Sequence, residues 1–225
     1  MKRAALIIFL VLVADQAVKV WMKLTFFLGD ARPLFGQGSR WAYLQFVENK
    51  GMAFGLEFGG ETGKLLLTLF RIVAVVGIGY ILLRAIKRQH KSWLVLSLSL
   101  IFAGALGNII DSAFYGMIFS ESLPFQKAVL FPPGGGYAPM LHGAVVDMFY
   151  FPVWHGHFPA WFPIWGGEDF EFFRPVFNVS DAAISVGVVM LILIQRKDPM
   201  EQVHSAGDGS EGSPLPIEIP VEVVS

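Results

Sequence analysis

Cysteine is absent from the 225-residue sequence, and charged residues make up only 16% of it. Without cysteine the chain has no disulfides, no catalytic thiol and no thiolate metal site. Soluble domains carry roughly 25% charged residues, so the deficit of charge indicates a membrane protein. The formal net charge of −1 provides no general basic footprint for nucleic acid.

Several motifs of other chemistries are missing as well. The sequence contains no Gly-x-Ser-x-Gly elbow and no His-Glu-x-x-His. Gly134-Gly135-Gly136 is not followed by the Lys-Ser/Thr pair and helix of a phosphate-binding loop. His155 and His157 lie two positions apart in an aromatic loop, where histidines ordinarily face the surface or the membrane interface. The sequence therefore predicts neither a metal nor a cofactor.

What the sequence does contain is a set of long apolar runs in a chain that is 54% hydrophobic. Runs of about 20 apolar residues predict transmembrane helices. We predict a fold class of all-α membrane protein, with four such helices in one domain over residues 1–197. The Gly-, Ser-, Pro- and Glu-rich tail over residues 198–225 is predicted to be disordered and cytoplasmic. The four predicted spans cover about residues 4–24, 64–83, 93–111 and 176–194.

The first apolar run begins like a signal peptide, but no small-x-small cleavage site follows it, so we expect an uncleaved helix. Short basic segments set the orientation: Lys2-Arg3, the loop over residues 84–91 and Arg196-Lys197 are predicted to be cytoplasmic. Four spans place all three segments on one side, with both termini cytoplasmic. Residues 40–47 have strand character and predict a small sheet at the outer surface.

Polar residues collect at the outer ends of the predicted spans, namely Asn108, Asp111, Asn178 and Asp181, and Asp147 also stands among apolar residues. A carboxylate in such surroundings is costly unless it is paired, solvated or in use. We hypothesise that Asp147 and Asp181 meet. Two close carboxylates in a low-dielectric site share one proton near neutrality. One can then take a proton from water while the other donates one to a scissile carbonyl.

These residues leave open more than one function. An intramembrane aspartyl hydrolase and a small proton- or cation-conducting transporter subunit both use buried acids, and the acids could also be purely structural. The absence of inverted repeats and the position of the acids at one end favour the hydrolase. Asp15 and Lys19, four positions apart, can pair on one helical face. That pair is either structural or a brace for a site or a lipid head group. Arg71, in the second span, could extend to the outer surface.

Five motifs, in chain order, resemble those of the bacterial lipoprotein signal peptidases, the signal peptidase II family. Each motif is weak alone, and the resemblance rests on their order across most of the chain. They are Asp15-Gln16-x-x-Lys19, Glu48-Asn49-x-Gly51-x-Ala53-Phe54-Gly55, Gly104-x-x-Gly107-Asn108-x-x-Asp111, Val145-Val146-Asp147-Met148 and Phe177-Asn178-Val179-Ser180-Asp181-Ala182.

The resemblance implies an aspartic endopeptidase of the bacterial inner membrane that acts near the outer leaflet. Such an enzyme removes the signal peptide from diacylglyceryl-modified prolipoproteins, before the lipid-bearing cysteine. It implies a metal-free, monomeric protein with an outer β-rich cradle, inhibited by globomycin-like peptides and surrounded by membrane lipids. Asp147 and Asp181 resemble the catalytic pair. The residues that resemble supporting or substrate-binding positions are Asp15, Lys19, Asn49, Gly51, Phe54, Gly104, Asn108, Asp111 and Asn178.

The chain departs from the family pattern at several points. Ser112 stands where the family usually has arginine, and Arg71 or Arg174 could take over that role. Ser180 stands where alanine is frequent. The segments over residues 113–141 and 152–175 are insertions relative to the family, and could be either a lid over the site or surface decoration.

Overall fold

The computed structural model describes residues 1–36, 38, 41–51, 60–152, 154–163, 166–172 and 175–207. Of the residues singled out above, Ala53, Phe54, Gly55 and Arg174 lie outside these ranges, as do residues 208–225.

The chain forms long helices and, between them, short strands. The helices are α1 (Lys2–Thr25), α2 (Gly60–Lys87), α3 (Ser92–Ile110), the short α4 (Gly116–Ile118) and α5 (Val179–Gly207). The strands are β1 (Ala31–Pro33), β2 (Tyr43–Asn49), β3 (Val145–Tyr150), β4 (Trp154–His157), β5 (Asp169–Phe172) and β6 (Val176–Phe177).

Three helical stretches among the described residues are long and apolar enough to cross a membrane: Lys2–Thr25, Thr62–Lys87 and Ser92–Ile118. They contain the first three predicted spans. The third is longer than predicted, because a π-helical turn at Asp111–Tyr115 and then α4 continue α3. The fourth apolar helical stretch is shorter, Val179–Leu193.

The ends of the fourth predicted span differ from the structure. Residues 176 and 177 form β6, and the helix begins only at Val179, because Asn178 caps it. At the other end α5 continues to Gly207, past the predicted start of a disordered tail at residue 198. Met200, Glu201 and Gln202 have favourable helix propensities, whereas Pro199 lacks the N–H that an interior helical position would donate.

A four-stranded antiparallel sheet, ordered β1-β2-β3-β6, packs against the helices. The small sheet predicted from residues 40–47 is confirmed in β2. In the pairing of β2 with β3, Val47 lies opposite Asp147 and Asn49 lies opposite Val145. The strand β3 was not predicted. Its first four residues are all buried, so it lacks the alternation of apolar and polar residues that marks a half-exposed strand.

The two insertions differ in how they pack. The first contributes Phe119 and Ala128 to a core that also contains Met22, Phe26 and Phe46. This insertion is therefore an integral layer of the fold. The second insertion contains β4 and β5, which pair with each other in a separate two-stranded sheet.

Close contact between α3 and α5 depends on glycine. A Cβ atom on Gly104 would lie 2.2 Å from the carbonyl oxygen of Ser180, and one on Gly107 would lie 2.1 Å from Ser180 Oγ. Small residues at a helix interface let two backbones approach closely. These two glycines therefore set how near the start of α5 can come to the last turns of α3.

Replacing Gly104 with alanine should lower the free energy of unfolding by about 1–3 kcal/mol, because the backbone carbonyl of Ser180 must move away. The matched control is Gly77→Ala in α2, where a Cβ would meet nothing within 4 Å. That change should stabilise the helix by up to about 1 kcal/mol. Thermal unfolding of both variants in detergent measures the difference. Equal effects of the two substitutions would contradict the packing described.

Candidate active site

The first turn of α5 is closed by a reciprocal pair of hydrogen bonds between Asn178 and Asp181. The backbone N–H of Asp181 donates to Oδ1 of Asn178 over 2.9 Å, and the backbone N–H of Asn178 donates to Oδ2 of Asp181 over 3.3 Å. This is the geometry of a capping box, with an amide and a carboxylate in the two capping positions. It fixes the Asp181 carboxylate at a helix N-terminus, where the helix dipole favours negative charge.

The same asparagine reaches the second aspartate. Nδ2 of Asn178 donates to Oδ1 of Asp147 over 2.7 Å, and it also contacts the carbonyl oxygen of Val146 and Oδ1 of Asn108. Asn178 is fully buried, and Asp147 is 6% exposed. The structure thus brings together Asp147, from the sheet, and Asp181, from a helix, through one side chain between them.

Burial raises the pKa of Asp147 to about 7, and the nearby Asp181 carboxylate adds to the effect, while the hydrogen bond from Asn178 opposes it. Since β3 provides Asp147, this group lies outside the membrane-spanning helices. A carboxyl group with this pKa is partly protonated near neutral pH. The pair can therefore hold one proton in the range where an acid and a base must coexist.

Asn108 connects the pair of aspartates to a buried cation. Its Nδ2 donates to Oδ1 of Asp181 over 2.8 Å, and its Oδ1 accepts from Nζ of Lys19 over 3.0 Å. The orientation of the Asn108 amide is thus fixed at both ends. Because the amine can only donate, the amide NH₂ must point toward Asp181.

Lys19 forms two ion pairs inside the protein. Its Nζ lies 2.8 Å from Oδ2 of Asp15 and 2.7 Å from Oδ2 of Asp111, and all three side chains are fully buried. The predicted pairing of Asp15 with Lys19 is confirmed as a contact. Buried charges persist only when they are paired and hydrogen-bonded, and this cluster satisfies that requirement.

Asp15 and Asp111 also hold backbone groups around the pair of aspartates. The N–H of Ser180 donates to Oδ1 of Asp15 over 2.8 Å, and the N–H of Val146 donates to Oδ2 of Asp111 over 3.3 Å. Each of these backbone groups directly precedes one aspartate in the chain. The ion cluster therefore positions Asp147 and Asp181 through the main chain without touching them.

Asn49 and Gly51 form a turn at the end of β2. Oδ1 of Asn49 accepts from the N–H of Gly51 over 2.9 Å, and Gly51 has a φ of +100°, which favours glycine. Opposite Asn49 on β3 is Val145, two residues before Asp147. Gly104 shapes the helix contact described above, and Phe54 lies outside the described residues.

Arg71, which the sequence suggested could extend to the outer surface, lies within electrostatic range of the carboxylates. Its half-buried guanidinium interacts electrostatically with Asp181, Asp147 and Asp111. The hydroxyl of Ser112, by contrast, donates to the carbonyl oxygen of Asn108, one turn earlier in the chain. The sequence signal for Arg71 was its charge within a span.

The sequence did not predict two further groups of polar contacts, one around Gln16 and one around Lys23. Nε2 of Gln16 donates to Oδ1 of Asp111 over 2.9 Å, and Oε1 of Gln16 accepts from Tyr115. Lys23 forms an ion pair with Glu48, and the hydroxyl of Ser122 accepts a hydrogen bond from Lys23 and donates one to Glu48. Among the residues that the structure describes, no three His, Asp or Glu side chains are grouped as metal ligands.

Comparison with known proteins gives a consistent result. A family model described as signal peptidase (SPase) II matches residues 7–196. A lipoprotein signal peptidase of Porphyromonas gingivalis is 51% identical over 193 residues, which cover 85% of this chain and 82% of the relative. Another, from Amoebophilus asiaticus, is 36% identical over 196 residues, which cover 87% of this chain and 78% of the relative.

Two solved structures, both described as a bacterial membrane enzyme, have a similar fold. One has a TM-score of 0.55 at 22% identity and covers 96% of both chains. The other has a TM-score of 0.57 at 24% identity and covers 88% of this chain and 95% of its own. At these identities the similarity concerns the fold alone.

Ser180 provides a test of how closely the start of α5 is packed. Its Oγ is buried and has no hydrogen-bond partner in the described part of the chain. Replacing Ser180 with alanine should therefore leave stability unchanged or raise it by about 1 kcal/mol, because an unsatisfied buried hydroxyl is removed. Thermal unfolding checks this, with Ser99→Ala as the control, since Ser99 Oγ donates to Val95 O over 2.6 Å. If Ser180→Ala lost more stability than Ser99→Ala, the Ser180 hydroxyl would have to be hydrogen-bonded, contrary to the structure.

Proposed function

We propose that this chain, which belongs to the signal peptidase II family, removes the signal peptide from diacylglyceryl-modified lipoprotein precursors. It cleaves the peptide bond before the lipid-bearing cysteine and uses Asp147 and Asp181 as its catalytic residues. The single observation that supports this assignment is the side-chain amide of Asn178, which donates to the carboxylate of Asp147 and accepts the backbone N–H of Asp181. An arrangement that holds two carboxyl groups around one proton is what aspartic peptidase chemistry requires.

In the proposed reaction the pair of aspartates activates water. The ionised member removes a proton from a water molecule as the water oxygen attacks the scissile carbonyl carbon, and the protonated member donates its proton to the carbonyl oxygen. When the tetrahedral intermediate collapses, the C–N bond breaks and the leaving nitrogen accepts a proton from the pair. The products are a signal peptide with a free carboxylate and a lipoprotein with a free amino group on its cysteine.

The other residues have supporting roles in this proposal. Asn108 and Asn178 orient the two carboxyl groups, and the buried cluster of Asp15, Lys19 and Asp111 fixes the backbone around them. Gly104 permits the close approach of α5 to α3.

The outer side of the site is assigned to the segment after β2 and to Arg71. Asn49 and Gly51, at the turn after β2, and Phe54, three residues further along the chain, are assigned to contact the substrate. Arg71 stabilises negative charge that develops near Asp181 and replaces the arginine that the family carries at the position of Ser112. Globomycin-like peptides would occupy the same space as the precursor.

The proposed membrane arrangement has four spans in the bacterial inner membrane. The first three are the helices already described, and the apolar start of α5 is the fourth. Lys2-Arg3, the loop over residues 84–91 and Arg196-Lys197 face the cytoplasm, as do both termini and the tail over residues 198–225. Residues 1–197 form one monomeric peptidase domain, and the sheet and the site lie at the outer leaflet.

Asp147→Asn and Asp181→Asn should each reduce precursor cleavage by at least about 100-fold, because asparagine keeps the shape of aspartate without its acid–base function. Asp169→Asn is the matched control, since Asp169 is 79% exposed on the separate hairpin. Cleavage of a lipidated precursor in detergent is the measurement. Near-normal turnover in either catalytic variant would refute the assignment, and proton flux in liposomes without precursor cleavage would identify a transporter instead.

The pH dependence should follow the shared proton. Because the pKa of Asp147 is raised to about 7, kcat/KM should fall as the pH rises above this value and the pair loses its proton. Stability should change in the same direction: between pH 3.8, the ordinary pKa, and about 7, the folded state binds this proton more tightly than the unfolded state. The free energy of unfolding therefore falls as the pH rises through this window.

Both slopes can be measured on the same preparation. Precursor cleavage and thermal unfolding are followed across this pH range for the parent protein, and unfolding also for Asp147→Asn. The variant should lose the part of the stability slope that comes from Asp147. An unchanged stability slope in Asp147→Asn would contradict the raised pKa.

A further inference from the structure

A cavity of about 550 Å³ lies at the end of the helical bundle opposite the pair of aspartates. It is bounded by the first turns of α1 and α3 and by the turn that joins α2 to α3. Its volume falls within the roughly 300–1,000 Å³ typical of ligand pockets. Apolar side chains line its floor and basic ones its rim, namely Ala4, Ile7 and Leu96 on the floor and Lys2, Arg3 and His90 at the rim.

The charge around this cavity has one sign. Residues 1–14 and 84–110 contain no aspartate or glutamate. They contain six lysines and arginines: Lys2, Arg3, Arg84, Lys87, Arg88 and Lys91. An anion at the rim would therefore meet only favourable side-chain charges from these two segments.

The backbone reinforces this preference for an anion. Both α1 and α3 begin at the cavity, and neither has an acidic residue in its first turn or, within the described residues, a side-chain hydrogen bond at its N-cap. Their first N–H groups and the positive ends of their dipoles are thus directed to this region.

The turn between α2 and α3, which borders the cavity, has a residue other than glycine in a left-handed conformation. The N–H of His90 donates to Ala85 O over 3.1 Å, and the N–H of Gln89 donates to Ile86 O over 3.2 Å. This is a Schellman motif, in which glycine usually occupies the left-handed position that Gln89 takes with a φ of 52°. The closed turn positions both Gln89 and His90 in the lining of the cavity.

We infer that this cavity binds an anionic phospholipid, with the phosphate at the basic rim and the upper part of an acyl chain on the apolar floor. A free phosphate ion would leave that floor uncovered, whereas a lipid satisfies both parts. Trp93, 64% exposed beside the cavity, fits the membrane interface where tryptophan is enriched. In the proposed orientation the lipid belongs to the cytoplasmic leaflet, which carries anionic lipids that attract basic segments.

The full-length protein, purified in detergent, can be titrated with phosphatidylglycerol or phosphatidylcholine while thermal unfolding is followed and bound lipid is counted by native mass spectrometry. Phosphatidylglycerol should raise the unfolding temperature and remain bound. The double variant Lys2→Gln/Arg3→Gln should bind it roughly 30-fold more weakly, since two basic contacts are lost.

The matched control is Lys87→Gln/Arg88→Gln, which removes the same charge from exposed positions that do not line the cavity. Its affinity for phosphatidylglycerol should change much less. A second variant, Ser92→Glu, places an acid in the first turn of α3, which favours the helix but repels an anion. It should keep the unfolding temperature of the lipid-free protein and lose lipid binding.

Four results would overturn the inference: equal binding of phosphatidylcholine, equal stabilisation by inorganic phosphate alone, equal losses in the two double variants, or unchanged binding in Ser92→Glu. Precursor cleavage in detergent without anionic lipid should be the same in all these variants. The lipid site and the proposed peptidase activity therefore fail or succeed separately.

Discussion

The carboxamide of Asn178 is the contact on which the rest of the site depends. It caps α5, accepts the N–H of Asp181 and donates to Asp147. One buried side chain therefore determines where the helix begins and where Asp147 and Asp181 are placed. Because the same residue performs both tasks, the start of α5 and the geometry of the pair cannot change independently. The raised pKa of Asp147 has another origin, namely its burial and the neighbouring Asp181 carboxylate, and the hydrogen bond from Asn178 opposes it.

Around this contact lie charged side chains whose burial would cost free energy if they had no partners. Lys19 is shared between Asp15 and Asp111, and each of these carboxylates accepts the backbone N–H of the residue that precedes Asp181 or Asp147. Replacing a buried ion pair with apolar residues is often neutral for stability, so such clusters are weak evidence of stabilisation by themselves. Here the cluster has a positional role, because it links three helices and the sheet at one depth. The glycines of α3 make this possible by bringing the Ser180 backbone within reach.

The apolar runs predicted the first three helices well, since long hydrophobic stretches are the strongest signal in a sequence. The small sheet was predicted through β2, but β3 was not, because a strand buried on both faces shows no alternation. The pairing of Asp15 with Lys19 followed from helical spacing. The contacts of Lys19 and Gln16 with Asp111 and Tyr115 did not, since Asp111 and Tyr115 belong to the π-helical turn after α3, whose packing against α1 only the structure provides. The proximity of Asp147 to Asp181 was a hypothesis from two carboxylates in apolar surroundings.

The proposed mechanism requires Asp147 and Asp181 to share a single proton near neutral pH. Infrared spectroscopy of protein with isotopically labelled aspartate measures this directly through the carbonyl stretch of protonated carboxyl groups. A shared proton should give a protonated carboxyl signal that titrates near pH 7 and disappears in Asp147→Asn. Identical titrations in the parent protein and in Asp147→Asn would contradict it.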